Sequence, residues 1–423
     1  IPVAGSAYTF TYTTVGEIMA WIIGWDLILE MLMAGSVISK YWGVYLNDFM
    51  RLMGWNANTN LTFGSFHIDI APIIIVAFFT TLLVFGTKIG ARVDGAMTVL
   101  KIAIVFFVVI VGFFYVKASN FTPFIPPSQP ASTVEGSSAV TGVMTQPLWQ
   151  FATGMTPSVY GVPGILSGAA LVFFAFIGFD VVATASEETK NPHKNVPLGI
   201  GVGMLLIIVM YMLVAVVTTG MVSYADLAKQ DSPSLATAFE LVGADWAAKI
   251  ISFGIVLGLA TVVMVLLLGL TRIVFAMSRD GLLPRGLSKT GKHGTPAALQ
   301  IVVGAVVALV AAFFDIGVLS DMVNIGTLSA FTLVAISIPI MRKKRPDLPR
   351  AFKMPGSPWI PILIAVANFW LMLNLSVLTW IRFVVWLVVG FAIYFGYGYW
   401  HARLGKGDLT ETLSAETDKA VNG

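Results

Sequence analysis

The chain has 423 residues, 57% of them hydrophobic and 11% charged, whereas a soluble domain carries about 25% charged residues. That balance excludes an ordinary water-soluble globule and fits an all-α polytopic membrane protein. The formal net charge of +3 is too small to point to nucleic acid, and with no Cys there are no disulfides, thiolate metal sites or cysteine nucleophiles.

The chain opens Ile1-Pro2-Val3, with neither Met nor a signal-peptide pattern, so an N-terminal piece is expected to be missing. A membrane span needs ~20 apolar residues, and ten candidate runs follow one another. The first, 17–40, carries Asp26 and Glu30 four apart on one helical face. Carboxylates inside a span carry a functional expectation by default. The alternative is a structural hydrogen-bond network between helices.

The next runs are 70–87 and 94–116. Lys101 lies seven residues past Asp94, which is two helical turns into its span. A lysine at that depth is costly unless it is paired or faces a cavity. As a functional group it would be a counter-ion or a proton carrier; the alternative is snorkelling to the surface. Residues 117–162, rich in Pro, Ser, Thr and Gly, form the longest loop and read as extracytoplasmic and partly irregular.

The fourth run, 163–184, contains Phe173-Phe174-Ala175-Phe176-Ile177-Gly178-Phe179-Asp180. A helix broken near Gly178 would free backbone carbonyls, which suit an ammonium group, and amides, which suit a carboxylate. A packing glycine with an Asp near the interface explains the same letters, and residue spacing alone leaves both open. Runs at 196–221, 246–278, 297–315, 319–341, 359–378 and 381–401 complete the set. Thr261 sits in the apolar stretch Gly258-Leu259-Ala260-Thr261-Val262, where a threonine usually bonds its own helix backbone. Arg272 is close enough to its span end to snorkel. Residues 402–423 are polar and are expected to form a disordered tail, while 1–401 form the transmembrane domain. The four His fall in separate loops or at a span end, so no metal constellation is visible.

Call the side that holds residues 1–16 side A. Lys88, Arg92, Lys190, Lys194, Arg279, Arg285, Lys289, Lys292 and the basic run from Arg342 fall on side A. Side B holds far fewer, among them Lys40, Arg51, Lys117 and Lys229. The positive-inside rule puts side A, and both ends of the chain, in the cytoplasm.

Eight stretches then carry a resemblance: PVAGSAYTFTY (2–12), GWDLILE (24–30), ARVDGAMTVLK (91–101), FFAFIGFD (173–180), EETKNPHKNVP (187–197), TRIVFAMSRDGLLP (271–284), NIGTL (324–328) and RPDLPRAFKMP (345–355). In that order they resemble amino acid permeases of the amino acid–polyamine–organocation superfamily, in the bacterial branch akin to cationic amino acid transporters. The resemblance implies twelve helices, ten of them in two inverted five-helix repeats. The ten runs are then family helices three to twelve, with helix one and most of helix two absent.

By that resemblance Phe173, Ala175 and Ile177 offer main-chain contacts to a substrate ammonium at the break permitted by Gly178. Phe174 matches the aromatic that gates the site. Asp180 matches an acidic gating or exchange position. Lys101 matches a lysine standing where sodium-coupled relatives hold sodium, which favours proton coupling. Thr261 would line the opposite wall, and Leu266 and Leu267 would border an apolar side-chain pocket. Glu30 would serve a cationic substrate if it faces the cavity. The expectation is a plasma-membrane secondary transporter importing an amino acid with protons by alternating access, without cofactor or metal. Its partners are substrate, protons and lipid, and no nucleic acid. The alternatives are an exchanger without ion coupling, a channel, or an intramembrane aspartyl protease, for which no second aspartate with suitable flanks is found.

Overall fold

The computed structural model describes residues 16–55, 59–63, 66–86, 91–133, 142–178, 191–230, 233–291, 294–344 and 356–402. Each of the ten apolar runs contains a helix. In chain order the elements are α1 (Glu17–Leu52), the hairpin β1 (Asn60–Phe63) and β2 (Phe66–Asp69), α2 (Ile70–Val84) and α3 (Ala91–Phe113). The 117–162 loop contributes β3 (Gln129–Pro130), α4 (Leu148–Thr153) and β4 (Ser158–Val159). Then come α5 (Gly161–Val172), α6 (Pro192–Met221), the short α7 (Tyr224–Ala228) and α8 (Leu235–Leu241), and α9 (Asp245–Arg279). The last are α10 (Ala297–Phe313), α11 (Ile316–Lys344), α12 (Trp359–Leu373), α13 (Val377–Ile393) and a terminal turn α14 (Tyr399–His401). Among the described residues, six helices are long and apolar enough to cross a membrane on their own, and α2, α5, α10 and α12 are shorter apolar helices.

The packing has an internal symmetry. α1 crosses α9, and α2 packs on α10. α1 also touches α2 and α10, just as α9 touches α10 and α2. α3 packs on α9 as α11 packs on α1. Exchanging α1, α2 and α3 for α9, α10 and α11 therefore maps this contact pattern onto itself. Counting spans, α1 and α9 run in opposite directions, so the repeat is inverted, the arrangement that places a site between two halves.

α1 is the innermost helix. Trp21, Ile23, Leu27 and Val37 are no more than 1% exposed, and they meet α9 and α10 in one continuous core. By contrast α3 and α6 leave Val99, Phe113, Leu205 and Met212 at least 60% exposed. Such apolar faces suit hydrocarbon and not water.

Three departures from the hydropathy boundaries bear on the packing. α1 continues past residue 40 to Leu52. The charge on Lys40 does not end it, because its Nζ donates to the Ala311 carbonyl at 2.9 Å and lies 3.5 Å from Asp69 Oδ2. The added turns dock on the side-B helices: Arg51 donates two 2.8 Å bonds to the Glu240 carboxylate, and the Leu235 amide donates to Tyr45 Oη. At the other end, α13 starts at Val377 and not 381, because the Ser376 hydroxyl accepts from the Thr379 amide at 3.2 Å and caps the helix. Finally, the α-helix of the fourth span ends at Val172, well before the expected residue 184, as described below.

The 117–162 loop has built parts. Backbone bonds run from Leu148 N to Leu375 O, Val377 N to Gln146 O and Leu378 N to Met144 O. Trp149 Nε1 donates to Asn374 Oδ1 at 3.0 Å. Together these seat α4 on the α12–α13 turn. The expected tail beyond residue 402 and the 2–12 stretch lie outside the described residues.

α13 is fixed to α1 by aromatic packing. Trp25 and Trp386 stack at 4.4 Å, and each indole N–H donates to the other residue's carbonyl, at 2.9 and 3.3 Å. The rings fit because Gly390, one turn beyond Trp386, has no Cβ to collide with the Trp25 ring. Gly390→Ala should therefore lower stability by about 1–3 kcal/mol through overpacking. A melting curve in detergent should show a reduced transition temperature, whereas Gly396→Ala, with open space at its Cβ position, should leave it unchanged.

Candidate functional site

The centre of the fourth span is where regular hydrogen bonding stops. α5 ends at Val172 and tightens into a 3₁₀ turn over Phe173–Phe176. Ile177 is extended, with φ −67° and ψ 141°, and Gly178 has φ +108°. L-side chains rarely adopt that last angle, so glycine is the residue that lets the chain leave the helix here. Four bulky side chains in the preceding turn hold it in place from several directions. Phe173 meets Phe331 of α11 edge-on at 6.1 Å, and Phe176 meets Tyr211 of α6 edge-on at 5.2 Å. Phe174 and Ile177 pack against the core built on α1 and α9.

Leaving the helix makes new demands on the backbone, since polar main-chain groups at membrane depth need partners or a cavity. The Phe174 carbonyl accepts from the Ile177 amide at 3.1 Å. The Ala175 carbonyl accepts from Tyr211 Oη at 2.5 Å. Just before the turn, the Leu171 carbonyl accepts from Asn324 Nδ2 at 3.3 Å. Asn324 is fully buried, and its Oδ1 has no hydrogen-bond partner among the described residues. α11 thus holds the end of α5 with an amide and a ring.

Lys101 faces α9 from α3. Its Cγ would lie 3.3 Å from a Cβ built on Gly258, and one turn earlier the Ile104 side chain occupies the space a Cβ on Gly254 would need. Two missing side chains on α9 therefore make room for α3, Gly258 for the lysine stem and Gly254 for Ile104. Beside it is a cavity of about 170 Å³ lined otherwise by apolar residues, including Ile104, Val108, Val214 and Val262. Thr261 Oγ1 donates to the Gly258 carbonyl at 3.0 Å, within its own helix. Lys101, Gly258 and Thr261 thus share one locality of the α3–α9 contact.

Glu30 and Asp26 are both fully buried on α1. Asp26 Oδ2 accepts from Ser329 Oγ of α11 at 2.8 Å, while its Oδ1 has no hydrogen-bond partner among the described residues. Ser329 is two residues from Phe331, so α11 links the α1 carboxylate to the ring against Phe173. Leu266 and Leu267 are 5% and 2% exposed and belong to the core against which Phe174 and Ile177 pack. Asp180 lies outside the described residues.

Tyr211, Asn324 and Ser329 were not singled out in the sequence. Each has its partner on another element, at least 36 residues away along the chain, so its neighbours in sequence give no sign of the contact. Asn324 opens the NIGTL stretch, which was the one available signal. Among the described residues no group of His, Cys, Asp and Glu could hold a metal ion.

Comparison with known proteins places this architecture. A sequence profile for the family described as Amino acid permease matches residues 1–398. The chain is 42% identical to the branched-chain amino acid permease BcaP of Bacillus subtilis, over 96% of this chain and 82% of that protein. It is 37% identical to the methylthioribose transporter of the same organism, with the same coverage. It is 35% identical to the mitochondrial cationic amino acid transporter 3 of Arabidopsis thaliana, over 81% of this chain and 52% of that one. With a profile match along nearly its whole length and relatives that are permeases and transporters, not enzymes, this integral membrane protein belongs to the amino acid permease family of the amino acid–polyamine–organocation superfamily.

Proposed function

We propose that this permease is a secondary transporter that imports an amino acid together with protons by alternating access, and that its site is the broken helix at 173–178. The observation that carries the reading is the backbone itself. The extended Ile177 and the positive φ of Gly178 stop the helix in mid-span. Carbonyls released in this way present partial negative charge to a substrate ammonium without burying a formal charge. Phe173, Ala175 and Ile177 supply those main-chain contacts, and the Phe174 ring closes the site from side B.

The substrate side chain on this reading is apolar and branched. The surroundings of the break are Phe, Leu and Ile, with Leu266 and Leu267 in the same core. A relative at 42% identity is named for branched-chain amino acids, which agrees with an apolar pocket. The buried Glu30 of α1 favours the cationic alternative only if its carboxylate reaches the cavity. Methylthioribose, named for another relative, has no ammonium and would make no use of a carbonyl cradle.

Lys101 is the coupling group on this reading. It sits where α3 and α9 meet, with its stem against Gly258 and a cavity beside it. α3 and α9 are corresponding partners of α11 and α1 in the inverted repeat, so a change of protonation at Lys101 acts on the contact between the halves. A resident ammonium also disfavours a sodium ion in the same place. Asp180 and Thr261 complete the gating set, with side A cytoplasmic and the protein in the plasma membrane. An exchange mode without ion coupling is the competing reading.

Two measurements test this. In proteoliposomes, an inward proton gradient should raise the initial rate of labelled L-leucine uptake several-fold over that without a gradient. Uptake indifferent to the gradient would leave exchange as the mechanism. Lys101→Ala should cut gradient-driven uptake about tenfold or more, equivalent to at least ~1.4 kcal/mol in the driven step, while sodium has no effect on either form. Unaltered transport by the variant would remove Lys101 from coupling.

A further inference from the structure

We infer that the Tyr211 hydroxyl is part of the substrate-amine subsite and sets its preference for an unsubstituted α-ammonium group. The inference rests on the proposed broken-helix site and adds to it a residue from a different span. Tyr211 Oη donates to the Ala175 carbonyl at 2.5 Å, and Ala175 is in the turn where regular helix ends.

The geometry does more than satisfy a carbonyl. A carbonyl oxygen has two acceptor positions, and a phenol that donates its proton keeps acceptor capacity of its own. With one Ala175 position taken by Tyr211, the second position and the phenol oxygen lie side by side. Together they offer two adjacent acceptors within 2.5 Å of one another, and both residues are exposed and not packed into the core. A primary ammonium has three N–H donors. It can bond both acceptors at once and keep a third donor for another carbonyl of the turn.

The ring is held in position for this. Phe176, the next residue in the turn, meets the Tyr211 ring edge-on at 5.2 Å with planes at 72°. Phe176 and Ala175 thus fix the ring and the hydroxyl of one side chain. The tyrosine comes from α6, across a connection of more than thirty residues. An aromatic hydroxyl in an otherwise apolar helix would be costly at that depth without such a partner.

Each N-methyl group removes one donor from the ammonium. An N-methyl amino acid keeps two N–H groups, and an N,N-dimethyl amino acid keeps one. With the further carbonyl of the turn the site offers three acceptors, so the N-methyl form leaves one of them unused and the N,N-dimethyl form two, and discrimination by donor count adds to that by bulk. Hydrogen bonds to a charged group are worth about 1.5–3 kcal/mol, so loss of one is about a ten- to hundredfold change.

The test is competition against labelled L-leucine uptake in proteoliposomes, using L-leucine, N-methyl-L-leucine and N,N-dimethyl-L-leucine. Tyr211→Phe keeps the ring on Phe176 and removes only the hydroxyl. It should raise KM for leucine about tenfold with little change in maximal rate. It should also shrink the preference for leucine over the methylated forms to a few-fold. Phe176→Leu, which loosens the ring but keeps the hydroxyl, is the structural control and should slow uptake with the preference retained. If Tyr211→Phe leaves both KM and preference as in the parent, or lowers uptake while preserving the preference, the assignment of Tyr211 is overturned and the broken-helix site stands. If the parent protein takes up no α-amino acid, both readings fall together.

Discussion

A peptide group inside hydrocarbon must be hydrogen-bonded or face a cavity, and the fourth span cannot meet that rule within itself. Its helix ends in the aromatic turn before Ile177 and Gly178, so the freed groups need partners from elsewhere. The neighbouring helices are arranged to provide them. α6 brings the Tyr211 hydroxyl to Ala175, and α11 brings Asn324 to Leu171. What the surrounding protein leaves accessible at the turn is then available to a solute. The proposed amine site rests on this: an incomplete helix in a medium that does not tolerate one.

The rest of the bundle keeps that interruption in place. α1 is buried along most of its length, crossed by α9 and held to α13 by two tryptophans that exchange indole and carbonyl bonds. α11 is anchored to α1 through Ser329 and Asp26 and to the turn through Phe331. The same pattern of contacts recurs when the two sets of three helices are exchanged. In such an arrangement the turn lies beside contacts that have counterparts in the other half, and the proposed alternation rests on that correspondence. Lys101 lies at one of those contacts, which is why the proposed coupling assigns the proton to it.

Much of this was legible in the sequence, for identifiable reasons. Spans show themselves because length and hydrophobicity are local properties. The break was only half legible: the residues around Gly178 left a broken helix level with a packing glycine, and the family resemblance favoured the break. Partners across the bundle were not legible. Nothing in the letters around Tyr211 indicates that its hydroxyl meets Ala175, and Gly258 does not announce that it makes room for Lys101. Hydropathy also ended α1 too early. It read Lys40 as a boundary, whereas the Ala311 carbonyl and Asp69 receive that charge and the helix runs on to Leu52.

The central claim is that the turn at 173–178 is where the amino group binds, and a single cysteine tests it directly. The chain contains no Cys, so Ala175→Cys introduces one reactive group at the exposed position of the turn. Its rate of labelling by a small thiol reagent would be measured in proteoliposomes with and without substrate. The account predicts that L-leucine slows labelling in proportion to its occupancy, while 4-methylpentanoate, which has the same side chain and carboxylate but no amine, does not. Labelling that is indifferent to leucine in a variant that still transports it would contradict the account.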